Sequence, residues 1–464
     1  MLSILILLFG LFAFVASFLL YRKLAGRIFY PSLTSFFYFY YLIFAFVGSF
    51  LFAIKVYLPY LENKFSVDEE ILLKQFFLVG GGFIIIGLVM SIVQNILKFS
   101  PKKDTEYFLE KPIEKIVSSE ESFFLPFLCI NLFLGLMLVG LILLQIRGQD
   151  FSFPIFSAFK SQVEYVKGRI ITIDVLENIH WLIFGTMLLK FSTYISFIYA
   201  YLKKTWKWKI LFISLFILTL FIVSIPGTKA RIIIFFMELI LIKFFLDYQK
   251  WASLKKSIKK LYFRYILIGL VIIIPVIFIL FGVFTEEPSF VIKVISERIF
   301  LNQIGGLYHI LNLYPENLDF LYGKGFVNPG GILPFKPVFV GEQMARYLVP
   351  ESVEAKTFLG MNTIFFGDAY ANFGWLGAIL SLIIAAIVIQ TMNILFIKYF
   401  KKNAITLSLY IILMVGWARA VFTDLNILLM WGAVDYYLLF IMAFIMYYFS
   451  KNLKYFYLKN KNHE

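Results

Sequence analysis

Residues 367–377 read Gly-Asp-Ala-Tyr-Ala-Asn-Phe-Gly-Trp-Leu-Gly, and from Ala369 the chain continues as an apolar stretch to Ile397. Before this junction lies the one long segment without an apolar run, Thr285–Asp368, which closes on Gly360-Met361-Asn362-Thr363. The junction decides the fold, because a polar, aromatic loop here meets a stretch long enough to cross a bilayer. The pattern repeats outward in both directions. About eleven apolar runs of spanning or near-spanning length recur, at Leu2–Leu20, Leu33–Ile54, Ile71–Leu97, Phe123–Leu144, Trp181–Tyr201, Ile210–Ile225, Ile232–Leu246, Tyr265–Phe284, Ala369–Ile397, Ile405–Val421 and Ile427–Phe449. Hydrophobic residues make up 61% of the chain and charged residues 15%. Mean hydropathy is +0.86, which excludes an ordinary soluble domain. The expected architecture is an all-α polytopic membrane protein in three parts: helices over 1–284, a large extracytoplasmic loop over 285–368, and helices with a cytoplasmic tail over 369–464.

Topology explains the net charge of +15 better than nucleic-acid binding does. Alternate loops carry about 25 Lys and Arg on one side and about 14 on the other, and acidic residues show the opposite bias, as the positive-inside rule requires. Arg22, Lys23 and Arg27 share a side with Lys203, Lys204, Lys207 and Lys209, and with Lys255, Lys256, Lys259 and Lys260. This places the N-terminus outside and the C-terminus in the cytoplasm, and anionic membrane lipids suffice as partners of the basic loops. The first span lacks a basic leader and reads as an anchor. Cys129, the single cysteine, lies within a span, so no intrachain disulfide can form.

The long loop divides in two. Phe290–Leu313 has apolar residues near helical spacing, including Ile299, Leu307 and Leu311, and predicts an amphipathic helix along the outer membrane face. Beyond Asn312 come turn sequences: Tyr314-Pro315, Gly323-Lys324-Gly325 and Asn328-Pro329-Gly330-Gly331. The aromatics among them argue for order.

Several groups are suited to anion binding. The runs Ile210–Ile225 and Ile232–Leu246 are short, so the turn Pro226-Gly227-Thr228-Lys229-Ala230-Arg231 between them is expected below the outer surface, lining a wet cavity. Lys229 and Arg231 at a helix N-terminus suit a phosphate, whose charge the free backbone N–H groups also attract. The competing reading is that both side chains snorkel. Arg298 and Arg346 could complete a basic cup, although Glu297 and Glu342 offer each a surface ion pair. Arg419 lies inside a span near its outer end, with Asp424 as the expected partner. Glu238 is seven residues beyond Arg231 on one helical face and could brace it. For proton transfer His309 is the favoured base, with Glu342 and Asp368 as competitors. No metal-ligand spacing, nucleotide-binding glycine loop or serine elbow occurs, so neither metal nor cofactor is expected.

The 367–377 motif at the mouth of the span after the largest outside loop resembles the pattern of Wzy-type O-antigen polymerases, which join oligosaccharide repeat units. The basic turn 226–231 resembles that family's Gly-x-Arg turn, here in the looser form Gly-Thr-Lys-Ala-Arg. Ile299–Leu313 and Leu321-Tyr322-Gly323-Lys324-Gly325-Phe326 fit as well. The resemblance implies a glycosyltransferase class C-like membrane enzyme of the bacterial cytoplasmic membrane. It implies an undecaprenyl-diphosphate-linked oligosaccharide as substrate, no nucleotide sugar, and a chain-length regulator protein as a possible partner. Arg231 with Lys229, Arg298 or Arg346 would hold the diphosphate, and Arg419, Tyr370 and Asn372 would join the substrate contacts. An O-antigen ligase is the nearest alternative, and a lipid-linked oligosaccharide flippase the next.

Overall fold

The computed structural model describes residues 2–27, 30–56, 67–114, 120–147, 181–225, 229–254, 260–269, 293, 295–326, 328, 334–354, 361–423, 426, 438–446 and 448. Every regular element among them is helical. Seven helices are long and apolar enough to cross a membrane: Ile4–Ala25, Leu33–Ala53, Glu69–Ile96, Phe124–Gln145, Trp206–Ser224, Phe365–Tyr399 and Ala404–Phe422. The chain is therefore a multi-pass helical membrane protein. The expected spans at Tyr265–Phe284 and Ile427–Phe449 lie largely outside the described residues, as do the loop 148–180 with His180, the turn 226–228, Asp424 and Asp435.

The chain forms two compact units. The first comprises Met1–Glu106, Pro288–Tyr399 and Leu413–Val434. Its first membrane helices are α1 (Leu2–Ala25), α2 (Leu33–Ala53) and α3 (Glu69–Ile96). The Asp68 carboxylate caps α3 by accepting from the Glu70 N–H at 2.7 Å, and Glu69 and Glu70 place negative charge against the positive end of the helix dipole. α1 packs closely on α3 at Gly80 and Gly87, where an added Cβ would meet Phe9 at 2.6 Å and Leu20 at 2.9 Å. Such small-residue contacts are how helices gain packing energy where lipid removes the hydrophobic driving force. α2 holds a π-turn at Tyr41–Val47, and the Tyr41 hydroxyl donates to the Val79 carbonyl of α3 at 3.0 Å.

The second unit comprises Tyr107–Glu287, Phe400–Ile412 and Asp435–Glu464. The short helix α4 (Pro101–Glu110) ends in it, and α5 (Glu120–Ile146), α6 (Trp181–Lys203), α7 (Trp206–Ser224) and α8 (Lys229–Ser253) follow. Polar pairs tie its bundle: Asn131 to Ser192 at 2.8 Å and Thr193 to Thr219 at 2.8 Å. Lys402 is buried, and its ammonium donates to the carbonyls of Phe108, Leu109 and Lys111 at 2.9, 3.0 and 2.9 Å, which satisfies the C-terminal end of α4.

Two sequence expectations are corrected here. α7 has 19 residues and α8 has 25, so neither helix is as short as its apolar run. Trp206 and the lysines that follow it extend α7 beyond the apolar window, and Lys229–Arg231 extend α8 at its start. A recessed turn between them loses its premise in span length. The segment expected along the outer face instead contains α9 (Gly305–Leu313), in which Leu307, Tyr308, His309, Ile310, Leu311 and Leu313 are all buried. α9 packs against α3 and against α11 (Phe365–Ile394), and the Tyr308 hydroxyl accepts from the Asp68 N–H at 3.0 Å. Helical spacing predicted one apolar face, whereas tertiary packing covers the other face too.

Candidate functional site: a polar cavity at the head of a membrane helix

The 367–377 motif is not a continuous helix. Phe365–Asn372 forms a buried helical head, then Phe373 leaves helical geometry and Gly374 takes φ +62° and ψ −149°. This backbone region is essentially closed to side chains other than glycine. From there α11 continues as the membrane helix.

The head is clamped by the turn Leu321–Phe326. The Leu321 and Tyr322 N–H groups donate to the carbonyls of Ala371 and Asn372, each at 3.0 Å. The Asn372 side-chain oxygen accepts from the N–H groups of Gly323 and Gly325 at 3.1 and 2.9 Å, and its amide donates to the Asp368 carbonyl at 2.8 Å. Asn372 is fully buried and makes all three of these hydrogen bonds to backbone groups, which makes it the pin between its own helix and a turn 47–49 positions earlier. Tyr370 sits edge-on to Phe320 and Trp375 at 5.9 and 5.3 Å.

A cavity of about 300 Å³ opens beside this head. Asp368 and Glu342 both line it, with Asn362, Thr363, Thr423 and Asn426. α10 (Val340–Leu348) supplies Glu342, its apolar side buried through Val340, Met344, Ala345 and Leu348. The walls are cross-tied: the Met361 N–H donates to the Gly341 carbonyl at 3.1 Å, Thr363 to the Thr423 carbonyl at 2.9 Å, and the Asn362 amide to the Gln303 side-chain oxygen at 2.5 Å. Asp368 is buried, and its charge together with burial raises the Tyr314 hydroxyl well above the usual phenol range; burial is the larger cause. The Tyr314 hydroxyl donates to Gln343 at 2.8 Å. Two carboxylates, two hydroxyls and two amides in one cavity are equipped to bind hydroxylated ligands and to accept a proton. Among the described residues no group of three or more His, Cys, Asp or Glu converges as a metal-ligand set.

The remaining expected residues are distributed more widely. His309 is 1% exposed, and burial lowers its imidazole to about 4. It is neutral near pH 7 and enclosed, so its expected position at an outer surface is corrected. Arg346 forms the anticipated pair with Glu342, at 3.0 and 2.7 Å, on the exposed side of α10. Arg298 lies in a π-turn, Glu297–Leu301, where Glu297 meets Lys293 at 4.0 Å. Arg419 begins a 3-10 turn, Arg419–Phe422, and its carbonyl accepts from Thr423 of the cavity at 2.9 Å. Lys229 and Arg231 open α8 in the second unit. Glu238, expected to brace Arg231, takes Lys190 at 2.5 Å and accepts from the Tyr194 hydroxyl.

Sequence reasoning passed over Thr423 and Asn426. They come from the far end of the chain, and only a tertiary contact reveals them: Asn426 donates to the Gly325 carbonyl at 3.4 Å. Asn362-Thr363 lies three residues before the motif, and its proximity to Asp368 was the available signal. The fold and cavity together define a polytopic helical membrane protein with a carboxylate-bearing polar site. A scan of protein-family models gives no match to this chain, and neither do searches of curated proteins and of solved structures.

Proposed function

We propose that the protein is a glycosyltransferase that polymerises undecaprenyl-diphosphate-linked oligosaccharide units at the outer face of a bacterial cytoplasmic membrane. The observation that carries this reading is the polar cavity holding Asp368 and Glu342 at the head of an apolar helix. A lipid-linked sugar needs such a site, because its reacting end must meet polar groups while its tail stays in lipid. The diphosphate is already a good leaving group, so catalysis requires positioning, a base and charge stabilisation. In the proposed step the acceptor hydroxyl gives its proton to Asp368, and its oxygen bonds to the anomeric carbon. The bond from that carbon to the carrier diphosphate breaks, and the diphosphate leaves with the electron pair. Asp368 replaces His309 as the favoured base, since Asp368 lines the cavity whereas the His309 imidazole is enclosed in α9 and does not. Glu342, held by Arg346, orients the sugar.

One observation favours a second reading, a flippase. Lys190 pairs with the buried Glu238, which also accepts from the buried Tyr194 hydroxyl, within the helices of the second unit; acidic and basic residues inside membrane helices are common on transport paths. The discriminating experiment gives purified full-length protein a lipid-diphosphate-linked oligosaccharide in detergent, without ATP, nucleotide sugar or sealed vesicles. Longer lipid-linked products and free carrier diphosphate support the polymerase. A flippase makes no new bond, and a ligase needs a different acceptor lipid. Asp368→Asn should slow the reaction by roughly a hundredfold or more, the scale of losing a positioned base. Wild-type rates in Asp368→Asn would overturn the base assignment, and no product from matched donor and acceptor would overturn the polymerase.

A further inference from the structure

A second hollow lies in the first unit and shares no lining residue with the cavity of Asp368 and Glu342. It is a groove of about 520 Å³ between α3 and α11, lined by Leu73, Phe77, Gly81, Ile85, Ile379 and Trp375, with Glu70 and Lys74 at its mouth. Its floor and walls are apolar. A Cβ added at Gly81 would meet nothing within 4 Å, so the missing side chain leaves the trough open. From Glu70 to Ile85 it runs about 22 Å at 1.5 Å per residue. That exceeds the roughly 15 Å depth of one leaflet's share of the hydrocarbon core. Trp375, with its amphipathic ring 45% exposed, stands among the apolar walls.

The mouth carries both signs of charge. Lys74 and Glu70 are one turn apart and 2.7 Å from each other, with side chains 49% and 72% exposed. So exposed a pair is weak and opens at little cost. A headgroup that complements it must also carry both signs, a phosphate for Lys74 and an ammonium for Glu70. We propose that this groove is a binding site for one acyl chain of an amine-bearing zwitterionic phospholipid, of the phosphatidylethanolamine class. Van der Waals packing holds the chain, since lipid offers no hydrophobic gain, and the charged pair selects the headgroup. The site is independent of the polymerase reading, and so is its test.

The test is native mass spectrometry of the full-length protein in detergent, with equal amounts of phosphatidylethanolamine and phosphatidylglycerol bearing the same acyl chains. Phosphatidylethanolamine should be retained over phosphatidylglycerol by roughly fivefold, the scale of one exposed ion pair. Glu70→Gln should erase that preference. Gly81→Leu should abolish retention of both lipids; it raises helix propensity and meets open space, so the fold survives it. Ile379→Trp, on the opposite wall, should do the same. Equal or stronger retention of phosphatidylglycerol by the wild type overturns the headgroup assignment. Unchanged lipid retention in both filled variants overturns the site. A dimer that Gly81→Leu converts to monomer would also overturn it, by making the groove a contact between copies.

Discussion

Asn372→Ala should destabilise the first unit without disturbing membrane insertion. The substitution removes three hydrogen bonds of 2.8–3.1 Å from a side chain with no exposure. The Gly325 N–H is buried and loses its acceptor; the half-buried Gly323 N–H can recover water. An orphaned buried backbone donor costs about 1–3 kcal/mol, and each lost net hydrogen bond about 1 kcal/mol. The expected total is roughly 2–4 kcal/mol, a fall of several degrees in melting temperature for a cooperative unit of this size. The assay is a fluorescence-detected melt of the full-length protein in detergent, read beside Asn317→Ala. Asn317 is exposed and accepts only a 3.5 Å contact from Tyr347, so its loss should stay within about 0.5 kcal/mol. If Asn372→Ala melts with the wild type and Asn317→Ala, the turn at 321–326 does not depend on this pin.

Other expectations follow from single residues. His309 has a folded-state value near 4 against an ordinary 6.5, so the unfolded chain binds more protons between those values, and stability falls as pH drops through that window. About 2 kcal/mol should be lost from pH 7.5 to 5, and His309→Phe should flatten that part of the profile; parallel acid profiles would refute it. Gly374→Ala should cost about 1–3 kcal/mol by forcing a side chain into φ +62°, ψ −149°, measurable by the same melt; an unchanged melt would show that the break relaxes. In a Cys129→Ala background, cysteine labelling from outside should reach position 328 and miss position 256, and labelling of both from one side would refute the topology. Arg231→Ala should abolish polymer with the protein still in the membrane, and Arg231→Lys should rescue poorly because an ammonium lacks the guanidinium fork.

Composition made the membrane class readable, since runs such as Leu33–Ile54 and Ile71–Leu97 match helices to within a few residues. The Glu342–Arg346 pair was readable from i,i+4 spacing alone. α9 was misread because periodicity reports which face is apolar but not how many neighbours a helix has. His309 belongs to the polar side of that pattern, yet α9 is covered all round. The cavity was half readable. Asp368 and Asn362-Thr363 adjoin the motif, whereas Thr423 and Asn426 arrive by long-range packing with no local mark. Asn372 looked like a ligand contact because a polar residue at the mouth of a span invites that reading. Its side chain in fact serves the backbone of a turn 47–49 positions earlier.

The break at Phe373-Gly374 has a mechanical consequence. Below it, α11 is a membrane helix that must tilt when the bilayer thins or thickens. Above it, the head carrying Asp368 is fastened to the 321–326 turn. We expect the joint between the two to act as a gimbal that absorbs tilt before it reaches the carboxylate. We expect the geometry around Asp368 to be insensitive to acyl-chain length, and a rigid, unbroken α11 to make it follow the membrane's thickness.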